Sequence, residues 1–418
     1  MTAAAAAATT PQTSAKNKVR GDFLCLWTAQ TFSNLGDSLF LASVAWSATS
    51  LFGKGQGAIA LGLALFVPTA LLLPLAGVIV DRYPRRRLLV GTDTFRALVT
   101  MALGLLLVTT EVSLTALLAT VVIVQVSGLL FQPSMHSLLG QIASDDETLL
   151  RFDSWMLASR MLATIIGPLL AGLIIHRGLG AALLLDAGTF CISLVGLFMA
   201  RKLLSLAAAP QTQKRNGVLS EAREGIQVAF GDPLFRKLAP TLPIIDLVGA
   251  SVTLLLPALL IQQGIINPLA YGLLISAWAV GRFTGLLVLR NRRVRALRGI
   301  LMAINCSAQA LTVIAIAVAP GMTGLLILFV LLGVPSGGAS VSINAYIQTQ
   351  IPNELRGRVF ALLQTSVTAS MPLGPLVAGW ITAWQSPSAA LALMGCLLFA
   401  VGLPPLISKR VWQWRPAN

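Results

Sequence analysis

The residues that could do chemistry in this chain are charged and polar side chains set inside long apolar runs. Asp37 stands near the middle of the first run. Gln30, Asn34 and Asp37 follow one another at i, i+4 and i+7, which places them on one face of a helix. A charge in hydrocarbon costs about 2.5–3.5 kcal/mol on insertion scales, so its presence there points to function. Burial disfavours the ionised form of a carboxyl group, which suits Asp37 as a proton carrier. Asp246, in the seventh run, is the second candidate for proton coupling. The competing reading for both is a structural ion pair or a helix cap inside a bundle. Arg160, Asp186 and Arg282 also lie within apolar runs and need partners. Arg282 follows Trp278 by one turn, a spacing that allows a cation–π contact.

A second constellation is the loop GVIVDRYPRRR, from Gly77 to Arg87. Gly77 permits close packing where the second run ends. Asp81 can sit against a helix N-terminus, whose dipole favours an anion. Arg82, Arg85, Arg86 and Arg87 can pair with carboxylates or with lipid phosphate. Such charges can latch one arrangement of two domains and release in the other; the plainer alternative is an anchor that fixes orientation. Asp93 and Arg96, at i and i+3, are close to Asp81 in sequence and are assigned to the same latch.

A third set is polar and uncharged. Gln125, Gln132 and His136 share a face of the fourth run, Ser336, Ser340, Asn344 and Gln348 repeat at i+4 in the tenth, and Gln364 and Thr368 do so in the eleventh. With Gln30, Asn34 and Arg160 they are the candidate lining of a solute cavity, walled by Phe40, Phe131, Trp155 and Phe360. Hydrogen bonding between helices is the alternative. A sparse mix of amide, hydroxyl and aromatic groups suits a large amphipathic solute better than a small ion. Nothing points to catalysis: there is no phosphate-binding glycine loop, nucleophile elbow or His-x-x-x-His. Cys25, Cys191, Cys306 and Cys396 lie singly in separate runs, and His136 and His176 are too few for zinc. No enzyme activity, cofactor or metal is expected.

The elements that must position these residues follow from composition. Of 418 residues 56% are hydrophobic and 11% charged, against about 25% charged in soluble domains, so lipid must be the solvent for much of the chain. Crossing the hydrocarbon takes about 20 apolar residues. Twelve runs qualify, at roughly 22–50, 58–80, 88–109, 113–140, 152–175, 179–201, 236–263, 269–290, 298–319, 322–350, 357–383 and 387–408. The net charge of +15 would suggest nucleic acid on a soluble chain. Here, placing alternate loops on opposite sides puts 25 Lys and Arg on the side of the termini and only Lys54 and Arg177 on the other. By the positive-inside rule both termini are cytoplasmic, and no nucleic-acid partner is expected.

Residues 1–20, rich in Ala and Thr, read as a disordered cytoplasmic tail without a signal-peptide core. An N-terminal six-helix bundle is expected over 21–201, a cytoplasmic linker over 202–235, a C-terminal six-helix bundle over 236–410 and a short tail over 411–418. From Ser220 the linker reads either as a short amphipathic surface helix or as plain linker. The halves repeat at an offset of 207: GPLLAG at Gly167–Gly172 recurs as GPLVAG at Gly374–Gly379, Arg85–Arg86 as Arg292–Arg293, Gln141 as Gln348 and Arg151 as Arg358. Four matches at one offset indicate duplication, and parallel halves about a central site are a transporter plan.

On these residues the chain resembles the major facilitator superfamily. GxxxDRxPRRR is similar to its cytoplasmic signature, with Pro84 where Gly is usual. The motif of Gly167, Pro168 and Gly172, repeated at Gly374, Pro375 and Gly379, resembles the antiporter signature with Ala171 in place of one Gly. WTAQTFSNLGDSLF, TDTFRAL, LLFQPSMHSLL and IPNELRGRVFAL resemble the drug:proton antiporter branch that includes macrolide-efflux and enterobactin-exporter proteins. The family's fourth-helix Arg before a Gln-Gly pair is missing; Val124 and Ser127-Gly128 stand there.

The resemblance implies an all-α membrane protein of twelve transmembrane helices in two pseudo-symmetric bundles. It implies a monomer in the inner (plasma) membrane, in contact with lipids. That protein would export a small amphipathic molecule (drug, antibiotic or secondary metabolite) by alternating access in exchange for protons. A dedicated siderophore or natural-product exporter is the alternative within transport, and a non-transporting membrane sensor the alternative of another class.

Overall fold

The computed structural model describes residues 10–53, 55–110, 113–142, 146–200, 235–288 and 298–413. Those residues are helical, without a strand among them. The first half comprises α1 (Thr10–Phe52), α2 (Gln56–Arg82), α3 (Arg85–Thr109), α4 (Leu114–Ile142), α5 (Asp146–Ile174) and α6 (Leu179–Met199). The second comprises α7 (Thr241–Gln262), α8 (Pro268–Val288), α9 (Arg298–Val318), α10 (Gly321–Gln350), α11 (Asn353–Ser370), α12 (Leu373–Trp384) and α13 (Pro387–Leu406). Single-turn helices at Phe235–Leu238 and Lys409–Gln413 flank it. Among the described residues 11 stretches are long and apolar enough to span a membrane, with Leu355–Trp384 counted as one. The remaining span is α9, whose apolar part is Ala303–Val318.

Three expectations change. Residues 10–20 are not a disordered tail: α1 begins at Thr10. Extending a nucleated helix costs far less than starting one, and Pro11 sits in the first turn, where its missing N–H is harmless. The eleventh span is not continuous: it breaks between Ser370 and Leu373. Pro372 lacks the N–H an interior turn needs, and Ser370 Oγ pins the break to α7 by donating to Pro243 O at 2.8 Å. The repeat explains why α5 has no such break. Pro168 and Pro375 correspond, but the counterpart of Pro372 is Ile165, and α5 runs unbroken through Pro168. Last, the helix Lys409–Gln413 reaches into the stretch 411–418 expected to be tail. Most of the expected linker, including Ser220, and the repeated pair Arg292–Arg293 lie outside the described residues.

Within the first half α1 packs on α5 and α6, α3 on α4 and α6, and α2 on α4; in the second, α8 packs on α10, α9 on α10 and α13, and α7 on α12 and α13. Chain reversals at the end away from the Arg82–Arg87 loop use Gly178 (φ 100) and Gly264 (φ 76), a conformation that favours glycine. The halves meet through α5–α8, α2–α12 and α1–α7. At that same end Gly172 faces Pro268 and Leu269, while Gly272 faces the Pro168 carbonyl. Ser276 Oγ donates to Ile165 O at 2.6 Å. In mirror fashion Gly379 faces Gly55 and Ile59, and Gly62 faces the Pro375 ring. The two Gly-Pro motifs therefore make one contact twice, with the halves exchanged. Small residues let the backbones approach where lipid supplies no hydrophobic drive.

Candidate functional site

Away from this joint the halves diverge around adjoining cavities. One, of about 250 Å³, is lined from both halves by Leu41, Leu65, Phe66, Ile245, Asp246 and Met371 among others. The second, of about 360 Å³, is lined by Ser38, Leu41, Leu157, Arg160, Met161, Tyr271 and Ile275 among others. Thr253, Trp278 and Arg282 border both. The walls are mostly apolar. Of the expected lining residues, Arg160 borders the second cavity and Ser336 the first; the others border neither. Phe40 and Phe131 are core residues, 4% and 1% exposed, and the aromatic walls are Phe66, Tyr271 and Trp278 instead.

The polar residues expected to line the cavity do other work. Gln30 Nε2 and Gln132 Nε2 both donate to Asn34 Oδ1, at 3.0 and 3.1 Å, and Arg160 Nη2 donates to Gln132 Oε1 at 2.7 Å. This chain runs from the cavity wall on α5, through α4, to the face of α1 that carries Asp37 one turn on. Gln125 Nε2 donates to Thr69 Oγ1 at 3.3 Å, joining α4 to α2. His136 faces Asp153 at 3.9 Å across α4 and α5. Asn344, Gln348 and Gln364 are exposed on α10 and α11 and border neither cavity. In lipid, amides are more useful between helices than on a greasy wall.

A buried charge cluster lies inside the first half. Arg96 Nη1 is 3.3 Å from Asp37 Oδ1 and 3.9 Å from Asp93 Oδ1. Its guanidinium stands 5.9 Å from the Phe131 ring and 5.4 Å from that of Phe190. Asp93 also accepts from Ser193 Oγ at 2.5 Å and Ser33 Oγ at 3.5 Å. Asp186 on α6 is fully buried, and among the described residues neither of its oxygens has a hydrogen-bond partner. The side chain of Asp37 is 38% exposed while that of Asp93 is sealed, so Asp37 is the member open on one side. The cation–π role expected of Arg282 falls to Arg96.

The latch is corrected in two respects. Asp93 and Arg96 begin two to three turns into α3, about 12–17 Å from its start, and belong to the buried cluster with Asp37. Arg85 is buried and folded back on its own turn: Nη1 donates to the carbonyls of Val80 and, at 3.2 Å, Tyr83, while Nε donates to Ser137 Oγ at 3.0 Å. It staples the α2–α3 turn to α4. Pro84 caps α3 at φ −57, ψ 128, a conformation natural to proline. Arg82 and Arg86 are exposed. Gly77 and Asp81 belong to α2, and the surroundings of both lie outside what the structure describes. Sequence reasoning missed the shared role of Asp186 and Arg96. In the structure a Cβ on Gly128 would meet the Arg96 guanidinium, so the charge absent from the fourth helix arrives there from the third.

Ser193→Ala removes a hydrogen bond to a buried carboxylate. It is expected to cost about 1.5–3 kcal/mol, read as a lower thermal unfolding midpoint of the purified protein in detergent. An unchanged midpoint would show that the bond adds nothing.

Two six-helix halves related by duplication, joined at one end around a cavity, define a multi-pass membrane transporter. Residues 15–414 match the family of transmembrane secretion effectors, MFS_3, and the chain belongs to that family of the major facilitator superfamily. It is 25% identical to the uncharacterized MFS-type transporter YfiS of Bacillus subtilis (strain 168), with 94% of each chain covered. It is 26% identical to the multidrug efflux pump Tap of Mycolicibacterium fortuitum over 94% of this chain and 95% of that one. The enterobactin exporter EntS of Citrobacter koseri is 26% identical over 62% of this chain and 60% of its own. The fold is shared with a bacterial homologue of the human lysosomal transporter Spinster, at TM-score 0.71 and 14% identity, covering 96% of this chain and 100% of that one. A POT family transporter gives TM-score 0.74 at 12% identity, covering 94% and 96%.

Proposed function

We propose that this transporter exports small amphipathic molecules in exchange for protons, by alternating access, from the inner (plasma) membrane with both termini in the cytoplasm. The observation that carries the reading is the cavity walled by both halves, which are joined through two mirror-image Gly-Pro contacts at one end. A solute entering from the basic side reaches mostly apolar walls with a few charges. Rocking about the joint closes that side and opens the other. Asp37 and Asp246 are the acids open to solvent or cavity and are the coupling groups. A proton on Asp37 weakens its hold on Arg96, and α1 carries the change to Asn34, Gln132 and Arg160. Export as the direction is supported by the printed functions of Tap and EntS.

The test is a strain lacking the protein, with untargeted comparison of metabolites inside and outside the cells. Retained metabolites name substrate and direction; many unrelated ones indicate a broad pump, one chemical series a dedicated exporter. Restored wild-type protein is expected to release them until a protonophore collapses the gradient. Asp37→Asn, present in the membrane at equal amount, is expected not to. Unchanged distribution in the deletion strain sinks the export reading, and normal release by Asp37→Asn removes Asp37 from the mechanism.

A further inference from the structure

Arg160 on α5 and Arg282 on α8 border one cavity from opposite halves. They stand where α5 and α8 part. Counting toward the basic side, Gly172 meets Leu269, Pro168 meets Gly272 and Ile165 meets Ser276; the next turn brings Met161, Ala279 and then the two arginines to the cavity. Among the described residues no carboxylate lies within 4 Å of either guanidinium, since the ion pairs found belong to Arg96 and His136. The hydrogen-bond partner of Arg160 is a neutral amide oxygen, that of Gln132. Asp246 lines the neighbouring cavity together with Arg282 and feels its charge, but no ion pair within 4 Å joins the two. Three acids of the first half, Asp37, Asp93 and Asp186, surround Arg96 instead. The rest of the wall here is mostly apolar or aromatic, with Leu41, Met161, Tyr271, Ile275 and Trp278 beside the hydroxyls of Ser38, Thr164 and Thr253.

Two cations facing one mostly apolar space repel each other, and among the described residues neither has a carboxylate within 4 Å to offset its charge inside the membrane. The group that completes this arrangement is an anion. Guanidinium forks match a carboxylate, sulfonate or phosphate and hold it by two donors each. We propose that the transported solute is an amphipathic anion whose acidic group sits between Arg160 and Arg282 and whose apolar body lies against Tyr271, Ile275 and Trp278. The proposal rests on the transport reading for the word transported; the binding site itself does not. An acid held jointly from α5 and α8 ties the two halves together across the point where they part, so occupancy and rocking are coupled through the ligand. A solute carrying an amine as well can place it toward Asp246.

The test uses the full chain in phosphatidylcholine nanodiscs and two probes of one shape and opposite charge, 1-naphthaleneacetate and 2-(1-naphthyl)ethylammonium. Binding to empty nanodiscs is subtracted. The anion is expected to bind at least about tenfold tighter than the cation, and Arg160→Gln or Arg282→Gln to weaken the anion by about tenfold, the range of one charge-assisted hydrogen bond. Lys at either position is expected to recover part of the loss. Equal affinity for the two probes, or unchanged anion affinity in both Gln variants, overturns the proposal. Replacing part of the lipid by phosphatidylglycerol is expected to leave naphthaleneacetate binding unchanged; competitive loss would make a lipid headgroup the occupant and overturn the solute assignment. Should a Gln variant fail to purify as a monodisperse particle, the matched probes on the wild-type chain decide. Loss of export in the deletion experiment and loss of charge selectivity here are separate outcomes, so either reading can fail alone.

Discussion

Arg96→Leu is expected to lose about 3–5 kcal/mol of stability, the usual cost of removing one partner from a buried ion pair, and with it most of the extractable protein. Arg96 is 3% exposed and is the cation that faces Asp37 and Asp93, at 3.3 and 3.9 Å, with its charge also reaching Asp186. Leucine fills part of the space over Gly128 but leaves carboxyl groups packed around a hole without a counter-charge. A few kcal/mol is a large share of the 5–15 kcal/mol that holds a typical domain together. Arg96→Lys is expected to recover only part of the loss. A compact ammonium cannot span two acids and lie against the rings of Phe131 and Phe190 as a planar guanidinium does. Adding Asp37→Asn and Asp93→Asn to Arg96→Leu should restore stability, because a neutral set costs less than a broken one. The measurements are the yield of monodisperse protein after detergent extraction and its thermal midpoint. A leucine variant that extracts and melts like the parent would show that the cluster holds nothing together.

That cluster marks the limit of what the sequence could say. Spans were legible because lipid imposes a length and an apolarity on every crossing. The duplication was legible because close helix approach demands Gly-Pro at matched places. Even the break in the eleventh span is written in Pro372, although the run 357–383 reads as one crossing until the repeat is aligned. Pairing was not legible. The i, i+3 spacing found Asp93 with Arg96, but the closer acid, Asp37, comes from a different helix, and no local rule selects it. The polar faces of α1 and α4 were read as cavity lining, yet Gln30, Asn34 and Gln132 satisfy one another. Polarity in a membrane sequence marks what must be hydrogen-bonded and does not say to what. The same ambiguity turned Arg85 from a gate into a staple for its own turn.

Gly272→Ala is expected to shift the protein out of the arrangement described here. A methyl at that position would meet the carbonyl oxygen of Pro168 and lie near the Leu169 Cα, backbone atoms that no rotamer change can move. Overpacking of this kind costs about 1–3 kcal/mol. The cost falls only on the state in which α5 and α8 touch at this end. The alternate state, with these helices parted, carries none of it, so the ratio of the two populations should change roughly 5- to 150-fold. Gly62→Ala, against the Pro375 ring in the mirror contact, is expected to act in the same direction. Gly188→Ala, where an added methyl meets nothing within 4 Å, is the control and should change nothing. Spin labels at Arg177→Cys and Ile266→Cys, both exposed at the joined end, report the separation of the halves once Cys25, Cys191, Cys306 and Cys396 are replaced. A longer-distance component should grow in Gly272→Ala and Gly62→Ala. A distance distribution identical to that of the parent would mean that the helices absorb the methyl by a sideways shift, and that the Gly-Pro joint is packing rather than a hinge between two states.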